Sequence, residues 1–579
     1  MKKHIEQLWQ HIAERGYDAY VIFTSDDHGS EYIEDRFKAR EFFSGFTGSA
    51  GTFLATKDKC LLWTDGRYFL QAARELKAVG AELMKMGEKD VPTLIEYLKA
   101  LCPSPKIAFD FSIADTHFVK ELTSAIPTAE LVDDGKIIDD IWTDRPALPA
   151  NKAYIVPFAE AGESVKDKLE KLVRATKENG CDFALVCSLD DIAWLFNLRG
   201  DDILYNPVNY AYALVGEGHF ILYIDESKLS EEIRTKFSLD GIVVRPYTQV
   251  YDDLKAISGK VLIDEEATNY ALSLIIRDKK TASVFPTTLW KAVKNDVEIA
   301  NTKKAQLEDA VAMVKFSKWL KENVGKIQMD EISVADKLEA FRRESDKFLE
   351  LSFDTICGYM ANGAVIHYSA TPETNERIFA KGLLLVDSGA QYLYGTTDIT
   401  RTYALGPLSP EMRHDFTLVL KAHIALASAT FKEGTFGNAL DEITRAPLKA
   451  EDKNYLHGTG HGVGYLLNVH EGPHNISPRG GLRAPLESGM FVTDEPGYYV
   501  ENGYGIRHEN VLLCTKKGEA LGFEPLTFVP FDLDAINVGE LDENERAWLN
   551  AYHAEVFDKV SPLLDEEHRH YLARATKAI

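Results

Sequence analysis

The acids and histidines of the last third of the chain have the types and spacings that metal chemistry uses. GLLLVDSGAQYLYGTTDITRT reads as a buried strand ending at Asp387, a turn, and an alternating strand containing Asp398. GMFVTDEPGYYVENGYGIRHENVLL repeats the layout, with Glu495 in the first strand, a turn at 501–505 and Glu509 in the second. Each reads as a β-hairpin delivering one carboxylate per strand. Alternation places Arg507, Glu509 and Val511 on one face and leaves His508 on the other, as a structural or surface residue. Between the hairpins, HGTGHGVG sets His457 and His461 among four glycines. A helix would put both imidazoles on one face, but glycine at every second position costs about 1 kcal/mol each against alanine. A phosphate-binding loop should open a helix, and the downstream YLLNVHEGPH does not continue as one. The remaining reading is a loop or strand whose missing side chains let a ligand or metal approach the backbone.

Four acids and at least one histidine can surround a pair of divalent ions. Cations about 3.5 to 4 Å apart need bridging carboxylates, because a shared anionic oxygen holds both and screens their repulsion. A mostly oxygen ligand set with one imidazole suits Mn2+, Co2+ or Fe2+ better than a thiolate-rich structural zinc site does. A single Asp or Glu in a hairpin is more often a turn or solvent residue, and it is the matching contexts of four that favour a site. Carboxylate-pair glycoside hydrolysis also uses two acids, but it leaves the histidine loop without a purpose.

These residues need a scaffold. KNDVEIANTKKAQLEDAVAMVKFSKWLKENVG is charged and helical in period, and it reads as the entry helix of a domain spanning 299–579. Ahead of it, GYDAYVIFTSDD and GCDFALVCSLDD each follow a helical pattern and open an apolar run. Two α/β domains of one design, 1–148 and 149–298, are expected, with the Pro-rich TDRPALPANKAYIVP between them. The start spaces Ile5, Leu8 and Ile12 as an amphipathic helix rather than a signal peptide, and no stretch approaches a membrane span.

The 579 residues exceed one ordinary core. Lys and Arg total 65 against 90 Asp and Glu, a formal charge of -25, so nucleic acid and anionic membrane are not expected partners. The six cysteines are scattered without a CxxC pair, which fits reduced, mostly buried thiols in a cytoplasmic protein.

The blocks GAVIHYSATPETN, DSGAQYLYGTTDITRT, HGTGHGVG, NVHEGPH, TDEPGYY and GIRHENV, in this order, resemble the catalytic domain of the aminopeptidase P (Xaa-Pro aminopeptidase) family of pita-bread metallopeptidases. EFFSGFTGSAG, WTDGRYFLQAA, SLDDIAWLFNLRGDDILYNPV, FEPLTFVPF and WLNAYH extend the resemblance to the long, three-domain cytosolic form. The resemblance implies two creatinase-like α/β domains followed by a pita-bread domain, and a homodimer formed through that domain. It implies that Asp387 binds one ion, that Asp398 and Glu509 bridge both, and that His461 and Glu495 complete the other shell. The ions it implies are two divalent metals, Mn2+ first, with Co2+, Fe2+ or Zn2+ as alternatives. It matches His367, His457 and His470 to substrate histidines beside His461, and Arg67 to a substrate arginine from the first domain. Glu495 is then the proton carrier, and His367 and His470 stabilise the oxyanion. His414, His423 and His474 receive no role.

The substrate implied is a peptide with proline second. Proline has no N–H and a fixed ring, so a cleft that binds an extended N–H pattern fits it poorly. Tyr498, Tyr499 and Phe353 are nominated for a proline pocket from their nearness in sequence. Three alternatives remain open: a prolidase cleaving Xaa-Pro dipeptides, a creatinase-like enzyme, which the intact ligand set disfavours, and a non-catalytic peptide-binding module.

Overall fold

The computed structural model describes residues 2–478 and 483–579. The chain forms two compact units, one of Met1–Pro157 with Glu163–Thr287 and the other of Phe158–Gly162 with Thr288–Ile579.

The N-terminal unit starts with α1 (Lys2–Arg15), whose Ile5, Leu8 and Ile12 are all buried, as their spacing requires. The helix ends at Gly16, which takes φ 68°, a left-handed value glycine adopts without a Cβ clash. Six strands follow: β1 (Ala19–Phe23), β2 (Thr52–Thr56), β3 (Cys60–Thr64), β4 (Glu82–Lys85), β5 (Lys106–Phe109) and β6 (Glu130–Asp133), in sheet order β4-β3-β2-β1-β5-β6. A second set comprises β7 (Phe183–Val186), β8 (Ala211–Gly216), β9 (His219–Ile224), β10 (Ile242–Arg245), β11 (Val261–Ile263) and β12 (Lys279–Thr281), in order β10-β9-β8-β7-β11-β12. The two orders correspond strand for strand. β1 runs antiparallel to β2 and parallel to β5, and β7 does the same with β8 and β11. The two GxD-initiated runs seen in the sequence therefore become the same central strand of two like sheets.

The C-terminal unit takes in Thr288, and within it Lys291 and Lys294 are buried against Glu471. Its long helix α2 (Asp296–Asn323) opens on a capping box between Asn295 and Glu298. Next come α3 (Glu331–Arg342) and a sheet of β13 (Ile356–Tyr359), β14 (Leu383–Ser388) and β15 (Ile399–Ala404), with β14 central and buried along its whole length. A larger sheet contains β16 (Thr430–Phe431), β17 (Gly460–Gly462), β18 (Glu471–Ile476), β19 (Phe491–Asp494), β22 (Asn510–Lys517) and β23 (Ala520–Pro525), in order β16-β23-β22-β19-β17-β18. A separate hairpin joins β20 (Gly497–Val500) to β21 (Tyr504–Arg507).

The simple hairpins expected around the acids are interrupted. β14 pairs with β15, placing Asp387 opposite Thr400, while Asp398 precedes the strand rather than lying in it. Glu495 and Glu509 both lie at the break between the β19–β22 pair and the β20–β21 hairpin. A carboxylate freed from strand pairing can turn towards a centre that regular alternation would not reach.

Candidate active site

The neighbouring strands β18 and β19 explain the two glycines that flank His461. In β17 a Cβ on Gly460 would lie 1.9 Å from the Thr493 carbonyl, and one on Gly462 would lie 2.1 Å from that of Glu471. Neighbouring backbone thus occupies the space beside both residues, and His461 is carried between them on a strand rather than a helix. Its backbone N–H donates to Thr493 Oγ1 at 3.0 Å, and its Nδ1–H donates to the Gly462 carbonyl at 2.9 Å. That second bond makes Nε2 the ring nitrogen that faces the acids, 3.4 Å from Asp398 Oδ2 and 3.6 Å from Glu495 Oε1.

Asp398, His461 and Glu509 each bring one ligand atom into a group whose members all lie within 4.8 Å of one another. Glu509 Oε2 accepts from Thr400 Oγ1 at 2.7 Å. Behind it, the buried Arg401 guanidinium donates to the Glu509 carbonyl at 2.6 Å and to Asn510 Oδ1 at 2.8 Å, fixing the backbone from which Glu509 projects. Asp387 Oδ2 accepts from Arg507 Nη2 at 2.5 Å, whereas its Oδ1 is buried with no donor among the described residues.

Arg507, read from sequence only as a face-mate of Glu509, links two parts of the site. Its Nη1 donates to Tyr499 Oη at 2.7 Å, and Tyr499 donates to His457 Nε2 at 2.8 Å. The signal available in the sequence was an arginine two residues before an acid in GIRHENV. Tyr499 thus has a polar role beside His457, while Tyr498 on the opposite face of β20 packs under the Lys453 ammonium. Phe353 is buried, and its ring would lie 3.0 Å from a Cβ on Gly389.

The remaining histidines divide by environment. His470 meets His461 edge to face, with ring centroids 4.3 Å apart. His367 follows Ile366, whose carbonyl accepts from Arg507 Nη2 at 3.5 Å. His508 is wholly buried against the Phe416 ring, so it is not a surface residue. His423 donates to the Asp494 carbonyl, His474 to that of Phe491, and His414 sits between Glu451 and Glu540. Arg67 belongs to the N-terminal unit, where Asp65 holds its guanidinium through two bonds of 2.8 Å.

The electrostatics mark a site built for cations. Burial, then the charges of Asp398 and Asp387, push the Glu495 carboxyl up to about 7, against the pull of His461 and Arg507. Burial and the same neighbours raise Glu509 well above the ordinary carboxylate range. Asp387 is also raised, by burial first and then by Asp398, with Arg507 opposing. For His461 burial works against the charged form, but Asp398 and Glu495 prevail and lift it to about 9. Four crowded carboxylates, an orphaned Asp387 oxygen and an imidazole Nε2 directed inward fit divalent metal, which would replace the protons this crowding retains.

The description Creatinase/Prolidase N-terminal domain fits the chain twice, at residues 4–141 and 144–298. Metallopeptidase family M24 matches residues 300–516, and the C-terminal region of M24 peptidases matches 519–579. Aminopeptidase P2 of Arabidopsis thaliana is 41% identical over 95% of this chain and 84% of its own length. A probable Xaa-Pro aminopeptidase P of Laccaria bicolor is 40% identical over 98% of this chain and 91% of its own. The crystal structure of an X-prolyl aminopeptidase from Caenorhabditis elegans, described as a cytosolic enzyme with a di-nuclear active site, superposes with a TM-score of 0.93 at 35% identity, covering 97% of this chain and 95% of that one. The chain therefore belongs to the aminopeptidase P family of Xaa-Pro aminopeptidases, with two creatinase-type α/β domains ahead of an M24 pita-bread metallopeptidase domain.

Proposed function

We propose that the chain removes the first residue from peptides whose second residue is proline, using two divalent ions held by Asp387, Asp398, His461, Glu495 and Glu509. The observation carrying this reading is the convergence of Asp398, His461 and Glu509 ligand atoms within 4.8 Å. Together Asp387, Asp398, His461, Glu495 and Glu509 would hold the pair, with Asp398, His461 and Glu509 already gathered at its centre. Mn2+ is the first candidate for a mostly oxygen ligand set with a single imidazole.

When bound, such a pair supplies Lewis acidity that makes a water nucleophilic near neutral pH and polarises the scissile carbonyl. Glu495, beside that centre, takes the proton of the attacking water and delivers it to the proline nitrogen as the bond breaks. His470 and His367 donate to the carbonyl oxygen as negative charge develops on it. His457, oriented through Tyr499 and Arg507, contacts the substrate backbone. The acids also attract the free amine of the first residue, and this restricts cleavage to the first bond.

The proposal extends to a homodimer and a cytoplasmic location. The family resemblance supports the first, and the second is supported by the description of the Caenorhabditis elegans relative as cytosolic. Light scattering tests the assembly, and a monomer at micromolar concentration would overturn it.

The function is tested with three substrates. Chelator-stripped protein reloaded with Mn2+ is offered an Xaa-Pro-Xaa tripeptide, an Xaa-Pro dipeptide and an Xaa-Ala-Xaa control. Release of the first residue from the proline tripeptide, with little from the control, is expected. Preference for the dipeptide would reassign the enzyme as a prolidase, and absence of cleavage with every metal would favour a binding module.

A further inference from the structure

Glu331 is completely buried at the start of α3, and among the described residues it forms no ion pair. Its carboxylate instead collects donors from one stretch of chain. It accepts from Tyr359 N at 2.7 Å, from Asn362 Nδ2 at 3.1 and 3.0 Å, from Tyr368 Oη at 2.7 Å and from Glu376 N at 2.9 Å. These donors bracket residues 359–376, the segment that carries His367. Asn362 and Tyr368 lie on opposite sides of it in sequence, and Asn362 Nδ2 also approaches Tyr368 Oη at 2.9 Å.

The other side of the segment is fixed by close backbone packing. A Cβ on Gly363 would lie 2.9 Å from the Gly358 carbonyl, and one on Gly505 would lie 1.7 Å from that of Gly363. The Ile366 carbonyl, next to His367, accepts from the same Arg507 guanidinium that holds Asp387. The segment is thus clamped between Glu331 and the strand that ends at Arg507.

We infer that Glu331 is a positioning residue for the reaction, pinning both ends of the 359–376 segment to one carboxylate so that His367 is held towards the metal-ligand acids. The inference rests on the reading above, in which His367 acts on the substrate carbonyl. The chemistry calls for a carboxylate specifically. An ionised carboxylate is acceptor-only with about four lone-pair sites, and every group facing it is a donor. Glutamine has nearly the same shape, but it turns an –NH2 towards some of those donors and leaves them unsatisfied, which opens the clamp. Serving four groups of one segment, Glu331 sets the geometry of the side chain that the segment carries.

The test is a double-mutant cycle on the Mn2+-loaded full-length enzyme with an Xaa-Pro-Xaa tripeptide. Glu331→Gln, His367→Ala and their combination are compared, with thermal unfolding and metal content recorded for each. Glu331→Gln is expected to lower kcat by roughly 10-fold to 100-fold with little change in KM, as displacement of a reacting group does. The double variant should be no slower than His367→Ala alone. Tyr368→Phe removes a single donor and should lower kcat less, again without adding to His367→Ala, so it carries the test if Glu331→Gln does not fold. A folded Glu331→Gln enzyme with wild-type kcat, or losses that multiply in the double variant, would overturn the inference while leaving the role of His367 intact. Wild-type turnover by His367→Ala would overturn the role of His367, and the inference with it.

Discussion

Both units bury carboxylates, and they treat them differently. In the N-terminal unit Asp202 is covered by Lys228, their side chains 0% and 2% exposed, and accepts Tyr210 N at 2.8 Å. In the catalytic unit the four acids Asp387, Asp398, Glu495 and Glu509 face the Arg507 guanidinium and the imidazoles of His461 and His457. Withdrawing an ion from water costs several kcal/mol even after relaxation. Lys228 offsets that cost from within the chain, whereas the acid cluster is left short of positive charge among the described residues. A buried acid matched by the chain's own cation is architecture, and a cluster of them short of cations is a place for something the chain does not encode.

Neutralising one member of each region gives the largest contrast. Glu509→Gln or Asp398→Asn is expected to lower kcat/KM by on the order of 10³-fold or more, because an interaction with the reacting centre is lost, while the fold survives. Steady-state kinetics with unfolding curves checks this, and full activity in either variant would refute the bridging assignment. Asp202→Asn should do the reverse, costing about 3 to 5 kcal/mol of stability by leaving Lys228 buried without its partner, with kcat of the folded enzyme unchanged. If Asp202→Asn folds as firmly as wild type, the contrast fails on that side.

Acidity sharpens the comparison further. Between the ordinary 4.5 and about 7 the native metal-free site holds a proton on Glu495 that the unfolded chain does not. His461 does likewise between 6.5 and about 9. Both groups have raised folded values, so their stabilising contribution is present at low pH and is lost as pH rises through those windows. Metal displaces these protons, so the gain in Tm on adding Mn2+ should grow from about pH 5 to about pH 9. Scanning calorimetry of stripped and loaded protein measures it, and a gain that shrinks with pH would contradict the assignment. The smallest effect is expected from Tyr499→Phe, which removes the bond to His457 and the one accepted from Arg507, together worth about 2 kcal/mol, so roughly a 30-fold loss in kcat/KM.

Much of this was legible in the residues, for reasons that differ from place to place. The like sheets of the N-terminal unit announced themselves because a GxD followed by an apolar run specifies the same central strand twice. The four acids and His461 were legible as types in matching contexts, and the glycines of HGTGHGVG as close backbone approach. The interruptions at Glu495 and Glu509 were not, because alternation is a rule within a strand and says nothing about where pairing changes partner. Nor were Arg507, Arg401 and Glu331. Their importance comes from partners 120, 108 and up to 45 residues away in sequence, and no local pattern encodes such a distance. His508 shows the converse, since alternation removed it from the site without revealing that it is buried against Phe416.

The most direct test is the metal content of the chelator-stripped enzyme after reloading with Mn2+ and desalting, measured by atomic emission beside Glu509→Gln. Two ions per chain in the wild type, and loss of the pair in the variant, are predicted. A single ion in the wild type, or an intact pair in Glu509→Gln, would contradict the account of the acid cluster as a bridged two-metal site.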